Sequence, residues 1–538
     1  MGSPEQTRQF RRWCALGVLV VSLLIVVLDS TVLNIALKTI GDPRAGLGAT
    51  QSELEWSINS YTLVFAGLLF TFGVIGDRLG RKRVLIAGMA LFGLASLLSA
   101  YARTPAGLIW ARALMGLGAA AMTAQTLAVI TELFEPGERS RAIGVWAGSI
   151  GLGVAIGPVA GGLLLGHFWW GSVFLVNVPI VAVGLTAMMF LVPESAHPAP
   201  GRLDPVGVFL SVFGLVALSY GIVAGGEKAS WLEPLVIGPI ASGLVTLALF
   251  AWYETRVEQP ALDVRLFRHP QMSVAVGAVG MVYFAAAGVF FFTMLYMQSV
   301  RGLTPLQAGA MVLPFAAAHL VFSVRTTVIV RRFGARAVCT TGMSLVTIAL
   351  AGYQFVDETT PPWVLLTVFF LQGMGMANVT PPAMDAVMSH LPREKVGAGS
   401  AIVNTARQVA AALGVAVAGS VVSGVYRGEM SGHLAALPEG ARRAAGESIG
   451  ATMAAVDRMG PAGRQLVEPA QHAFVHAMHL AAVVSTVIAF VGAVVVFRWM
   501  PGRAARPRRR ADPDPRADRA GVKPEVVRAG CRRDHGGT

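Results

Sequence analysis

Asp29 is the first residue in this chain whose type and place together point to chemistry. It stands in LLIVVLDSTVLNIAL (23–37), a run otherwise suited to hydrocarbon. A carboxylate there is costly unless it faces a protected interior, where it can take up and release a proton. Arg112 interrupts a second apolar run, LIWARALMGLGAA (108–120). If the two runs cross a bilayer in opposite senses, Asp29 lies about 12 Å and Arg112 about 9 Å from the same surface, at about 1.5 Å per residue. Such a pair serves either as a packing ion pair or as a protonation site and its tuner.

Other constellations surround this one. Between the second and third apolar runs lies GVIGDRLGRKR (73–83), in which Gly80 permits a tight turn and Asp77 is placed to cap the third helix or to pair with Arg78 or Arg81. Basic residues alone would make a membrane anchor. An anchor does not require Gly73, Asp77 and Gly80; these with Arg78, Arg81 and Arg83 at this spacing suit a conformational latch. GLGVAIGPVAGG (151–162) carries Gly153, Gly157 and Gly161 at every fourth position, with Gly162 beside them and Pro158 within. That makes a smooth helix face for close approach and a place to kink. Asn34, Tyr61, His319, Asp385, Asn404 and Arg407 are candidate substrate or coupling contacts. Asp385 and Arg407 enter from the same side and are candidates for a salt bridge. His319 titrates near neutrality when unperturbed, and a structural role accounts for it equally well. His472, His476 and His479 share one helix face at i, i+4, i+7. Interfacial polarity is the simpler reading, and no metal site is expected.

These residues must be positioned by membrane-spanning helices. Hydrophobic residues make up 54% of the 538 and charged residues 14%, with mean hydropathy +0.61, against about 25% charged in soluble domains. Fourteen apolar segments of roughly spanning length, ~20 residues, lie at 13–37, 54–75, 84–101, 106–130, 141–165, 172–192, 205–225, 234–252, 271–297, 306–330, 337–356, 363–388, 398–426 and 472–500. Lys and Arg concentrate on alternate loops, 18 against 5 in the short loops opposite, which places both termini in the cytoplasm. The organisation expected is a cytoplasmic N-terminus (1–12), a six-helix bundle (13–192), two inserted helices with flanking loops (193–270), and a second six-helix bundle (271–500) containing a long outer loop (427–471). A disordered basic tail (501–538) follows. An internal duplication supports this division: Leu108, Gly116, Gly118 and Ala120 return 257 residues on as Leu365, Gly373, Gly375 and Ala377, and Arg78 and Gly80 return as Arg332 and Gly334.

Several classes are excluded or disfavoured. Cys14, Cys339 and Cys531 are too few and too scattered for a disulfide framework. The net charge of +13 owes much to the tail, and no nucleic-acid motif accompanies it. There is no GxxxxGK[ST] phosphate loop and no HExxH or comparable catalytic cluster, so neither ATP hydrolysis nor a membrane-embedded enzyme is expected.

The motifs together resemble the major facilitator superfamily, in particular its fourteen-helix drug:proton antiporter branch, the EmrB and QacA exporters. Leu28-Asp29-x-Thr31-x-x-Asn34-x-Ala36-Leu37 is similar to the branch's first-helix motif, with Lys38 in place of the usual proline. The 73–83 loop, Arg112 with Gly116 and Gly118, the 151–162 glycines and Asn404-Thr-Ala-Arg407-Gln408 match further motifs. Met115 stands where glutamine is common. The resemblance implies an all-α major facilitator fold and proton-coupled export of amphipathic drugs or a natural-product antibiotic from a bacterial cytoplasm. The alternative is a dedicated transporter of one metabolite. It implies that Asp29 exchanges protons under the influence of Arg112, and that the 73–83 loop stabilises the outward-open state. The energy source would be the proton gradient, with no cofactor. The expected partners are an amphipathic small molecule, protons and the lipid bilayer, with no nucleic acid, and the expected state is a monomer. Some relatives carry an extra acid in segment 10 or 13. Here segment 10 has His319 and Arg325 instead.

Overall fold

A computed structural model describes residues 4–194, 204–228, 231–257, 264–389, 396–434, 442 and 445–500. The predicted tail, 501–538, and Cys531 lie outside the described residues, which are all helix, turn or irregular with no strand. The first half contains α1 (Pro4–Gly41), α2 (Gln51–Leu79), α3 (Arg81–Ala100), α4 (Pro105–Leu133) and α5 (Pro136–His167), then a short α6 (Ser172–Leu175) running into α7 (Asn177–Leu191). Two helices follow, α8 (Pro205–Lys228) and α9 (Pro234–Glu254). The second half contains α10 (Pro270–Leu295), which ends in a π-turn (Tyr296–Val300), α11 (Pro305–Met311), α12 (Leu313–Phe333), α13 (Ala335–Gly352), α14 (Pro362–Ser389), α15 (Val396–His433), α16 (Ile449–Met459) and α17 (Val467–Trp499).

Every predicted segment falls on one of these helices or on a consecutive pair. Twelve stretches among the described residues are long and apolar enough to cross a membrane, and the bent α2 makes a thirteenth if counted as one span. The remaining predicted segment coincides with α5, whose apolar stretch is Leu152–His167. Helix also occupies parts of two segments outside the predicted spans. The N-terminal segment 1–12 is helical from Pro4, because α1 continues past its apolar part. The loop expected at 427–471 is partly ordered. α15 runs on to His433, α16 and a 3-10 turn (Gly460–Leu466) follow, and α17 begins at Val467.

The duplication read from a few residues extends to the packing. In the first half α4 packs on α2 and α3, α1 on α5, and α7 on α1 and α3; in the second α14 packs on α12 and α13, α10 on α15, and α17 on α10 and α13. α2 and α11 both open on a capping box, Thr50 with Glu53 and Thr304 with Gln307, which satisfies the free amides of the first turn. Gly80 (φ 101°) and Gly334 (φ 86°) make the two sharp turns after α2 and α12. Lys82 donates to the carbonyl of Met189 near the end of α7, as Arg336 donates to Met500 after α17.

The halves meet along α2 with α15 and α5 with α11 and α12, and α8 lies against both α2 and α15. Gly67 faces Val212 and Gly226 faces Ser420, so close that a Cβ on either would lie under 2.5 Å from its neighbour. The inserted helix pair therefore flanks the seam between the halves.

Candidate ion-pair site and the seam between the halves

Asp29, on α1, is buried in the bundle, its side chain 1% exposed, and its Oδ2 accepts from Nη1 of Arg112 on α4. Arg112 is equally buried; its Nε donates to the carbonyl of Ser57 on α2 at 3.1 Å. Its guanidinium lies 4.3 Å from the centre of the Tyr61 ring and 5.8 Å from that of Phe174. The other carboxylate oxygen accepts from Asn177 at 3.4 Å, and the same amide donates to Ser96 Oγ at 3.0 Å. Ser96 in turn donates to the Phe174 carbonyl at 3.0 Å. The pair and its hydrogen-bond network thus draw on six elements, α1, α2, α3, α4, α6 and α7. A buried ion pair is tolerated in a low dielectric when its remaining donors and acceptors are satisfied in this way.

Local structure explains why these residues converge. The break at Val176 between α6 and α7 leaves the Phe174 carbonyl open to Ser96 and starts α7 at Asn177. Gly116 brings the α4 backbone against α2: a Cβ there would lie 2.4 Å from the Tyr61 carbonyl. Tyr61 stacks on Phe65 with ring centres 6.1 Å apart, and its hydroxyl is buried with no hydrogen-bond partner.

A model of the Major Facilitator Superfamily matches residues 19–415. The chain belongs to that superfamily. It is 32% identical over 497 residues to the multidrug efflux pump LfrA of Mycolicibacterium smegmatis, covering 92% of this chain and 98% of LfrA. It is 34% identical over 479 residues to the methyl viologen resistance protein SmvA of Salmonella typhimurium, covering 87% and 94%. In fold it is similar to a bacterial homologue of the lysosomal transporter Spinster, solved in an inward-facing, unoccupied conformation, with TM-score 0.60, 14% identity, and coverage of 94% and 100%.

As a major facilitator the chain is a multi-pass membrane transporter, and its motif residues take distinct places. Asp77 does not cap α3; its Oδ1 accepts from Nε and Nη2 of Arg81 at 2.9 and 2.8 Å. Arg81 also reaches Glu132 at the end of α4, and Arg83 pairs with Glu194 after α7 at 3.4 Å. Gly80 packs against the same Glu194. These contacts lie within the first half. Gly73 has open space beside it, and Arg78 is exposed at the surface with a partner of its own.

Of the α5 glycines, Gly153, Gly157 and Gly161 face Val27, Thr31 and Val32 of α1, whereas Gly162 faces Leu306 of α11. The carbonyl of Pro158 abuts Gly309 of α11. One glycine-rich stretch thus serves packing inside a half and closure between halves. That closure lies toward the end of the bundle remote from the start of α1 and the end of α17. There Gln298 of the π-turn donates to the Ile35 carbonyl at 2.9 Å, and Lys38 donates back to the Gln298 carbonyl.

The second-half candidates divide. Arg407 lies 5.5 Å from the centre of the Tyr283 ring. His319 stacks on Phe315 with ring centres 6.0 Å apart. Asp385 is exposed on α14 and forms no ion pair with Arg407, which corrects the suggested salt bridge. Asn34 donates to the Ser30 carbonyl of its own helix, and Asn404 has a partner beside Arg407 on α15. The three histidines do not converge: His476 pairs with Glu429, and His479 meets the Val356 carbonyl at 2.7 Å. No group of ligands fit for a metal occurs among the described residues.

Sequence reasoning missed Asn177 and Glu55. Glu55 is 1% exposed near the start of α2, beside Gln51 and Gly419 of α15. Asn177 follows SVFLV and stands two residues before Pro179, a polar residue at a helix break, and that was the available signal. Glu55 sits among surface-like residues, TQSELEW, and only packing buries it.

Proposed function

We propose that this protein is a proton-coupled antiporter that exports amphipathic drugs or a natural-product antibiotic across a bacterial cytoplasmic membrane, with both termini inside. The observation that carries the reading is the Asp29–Arg112 pair. It is buried inside the first-half bundle and tied to α2, the helix that packs on α15 across the seam. The drug-efflux relatives supply the substrate class. A proton delivered to Asp29 removes the negative partner of Arg112, so the guanidinium is left to Ser57 and the Tyr61 face. That change in balance between α1, α2 and α4 biases the rocking of one half against the other. Each charge crossing the membrane is worth about 2.3 kcal/mol per 100 mV, so the gradient suffices as energy source, without a cofactor or a catalysed reaction.

The test is efflux of a compound panel from inverted vesicles, with and without a protonophore, for the wild type and Asp29→Asn. Wild-type export should collapse with the gradient, and the Asn variant should bind compounds without gradient-driven transport. Export indifferent to the protonophore removes the coupling. An unaffected Asn variant moves the essential acid elsewhere.

A further inference from the structure

Among the described residues, the first half neutralises the cation in its bundle and the second half does not. Arg112 has Asp29, whereas Arg407 on α15 has the face of Tyr283 but no carboxylate partner among the described residues, and its Nε is buried without an acceptor. An unpaired guanidinium within a membrane bundle is expensive. Its planar fork is suited to an ionised acid oxygen, which it can hold with two parallel hydrogen bonds. Across the seam, where Thr405 Oγ1 of α15 donates to the Ala66 carbonyl of α2 at 3.4 Å, α2 also carries the Tyr61 hydroxyl, buried and equally without a partner. Phe290 stands two turns along the same face of α10 as Tyr283. Phe290 and Phe315, with ring centres 6.4 Å apart, add an aromatic wall beside it. Arg407, Tyr283, His319, Phe290 and Phe315 are all only partly buried, so the group is not sealed as the Asp29 site is.

We propose that Arg407, with the Tyr61 hydroxyl, forms an anion subsite in the seam that takes the carboxylate or acidic phenol of an aromatic substrate. Tyr283, Phe290 and Phe315 receive the ring system. The substrates selected here are therefore acidic or zwitterionic aromatics rather than dications such as methyl viologen. The subsite draws on both halves, Tyr61 from α2 and Arg407 from α15, so bound substrate bridges the surfaces that must part during transport. The inference rests on the export reading for its biological meaning, but its chemistry is measurable by binding alone.

The experiment uses the full chain in lipid nanodiscs and two xanthene dyes of one shape. Fluorescein carries a carboxylate and an acidic phenol; rhodamine 123 is an esterified cation. Binding is followed by fluorescence anisotropy. The wild type should bind fluorescein, and Arg407→Gln should weaken it by about tenfold or more, the size of a lost charge-assisted hydrogen bond, with rhodamine 123 changed less than about threefold. Arg407→Lys, which keeps the charge and loses the fork, should fall between. Tyr61→Phe should weaken fluorescein alone, by about threefold. Equal losses for both dyes in correctly folded Arg407→Gln, or wild-type fluorescein binding no tighter than the variant's, overturns the subsite. If Arg407→Gln fails to fold, Arg407→Lys and Tyr61→Phe decide: a fluorescein affinity unchanged in both overturns it. Gradient-driven efflux of rhodamine 123 without fluorescein binding defeats the subsite and leaves the export reading intact. Selective fluorescein binding without gradient-driven efflux of any dye does the reverse.

Discussion

In the first half Gly116 and Gly118 set α4 against α2 and α3, and the residue one turn before Gly116 is Arg112; in the second half Gly373 and Gly375 set α14 against α12 and α13, and the residue at the same place is Phe369. The backbone cradles match closely. A Cβ at Gly116 would lie 2.4 Å from the Tyr61 carbonyl, and one at Gly373 would lie 2.3 Å from that of Phe315. The contents differ. Arg112 carries its charge to Asp29 and its flat face to Tyr61, while Phe369 meets Phe290, which meets Phe315, in an aromatic chain. A duplicated scaffold has kept its close approaches and exchanged a polar core for an apolar one. Glycines persist because a backbone approach allows no side chain at all. The residue filling the space between helices is free to change if its partners change with it.

That contrast is broken first by Arg112→Leu, which strands the Asp29 carboxylate. Gradient-driven efflux should fall to background, with a loss of ~3–5 kcal/mol in stability for an uncompensated buried charge. Phe369→Ala should cost a similar ~3–5 kcal/mol through its cavity, yet the folded remainder should keep its protonophore sensitivity. Thermal unfolding in detergent and vesicle efflux separate the two. If Phe369→Ala uncouples transport while Arg112→Leu does not, the division of labour between the halves is wrong.

Next in size come Gly116→Ala and Gly373→Ala. Each pushes a methyl into a backbone carbonyl and should cost ~1–3 kcal/mol, alike in the two halves. One silent member would show that the cradles are not equivalent. Asn177→Ala removes the hydrogen bond that orients Asp29 from α7. With about 1.5–3 kcal/mol in a hydrogen bond to a charged group, gradient-driven efflux should drop roughly tenfold without loss of folded protein. Efflux at the wild-type rate would leave Asn177 a packing residue of the α6–α7 break.

The smallest effect concerns the loops between the third and fourth helices of each half. In the first, Thr104 caps α4. In the second, Asp357 caps a turn, accepting from the Thr359 hydroxyl at 2.9 Å and amide at 2.7 Å and from the Thr360 hydroxyl at 2.9 Å. Those bonds, the Thr359 hydroxyl first, hold the Asp357 carboxyl below the ordinary aspartate value. Its contribution is therefore full above the unfolded value of about 3.9 and is lost as pH falls through the lower folded value. Asp357→Asn should lower the unfolding midpoint slightly at pH 7, and the difference from wild type should vanish at strongly acid pH. A gap that widens in acid refutes the assignment.

Much of this was legible in the residues. Apolar runs of bilayer length announced the helices because hydrocarbon admits few alternatives to a helix whose backbone satisfies itself. Gly80 and Gly334 announced turns, and both have the positive φ that such turns require. Asp29 and Arg112 announced themselves by being charged where charge is costly. Less visible were residues whose meaning depends on what lies opposite. Asn177 is an ordinary polar residue until α1 and α3 surround it. Glu55 reads as a solvent-facing residue at a helix start until α15 covers it. Asp385 and Arg407 seemed matched by depth, but they face different surroundings.

Sequence alone determined that the chain spans a membrane as a duplicated helical bundle, that Asp29 and Arg112 sit at one depth, and which glycines must face neighbours. These follow from composition, period and length, which act along the chain. Only the tertiary structure decided that Asp29 and Arg112 touch, that Asn177 completes their network, and that α8 flanks the seam. It also left Arg407 with an aromatic face and no acid among the described residues. Pairing is a property of distance between helices far apart in sequence, and depth along a helix leaves the direction around its axis undetermined.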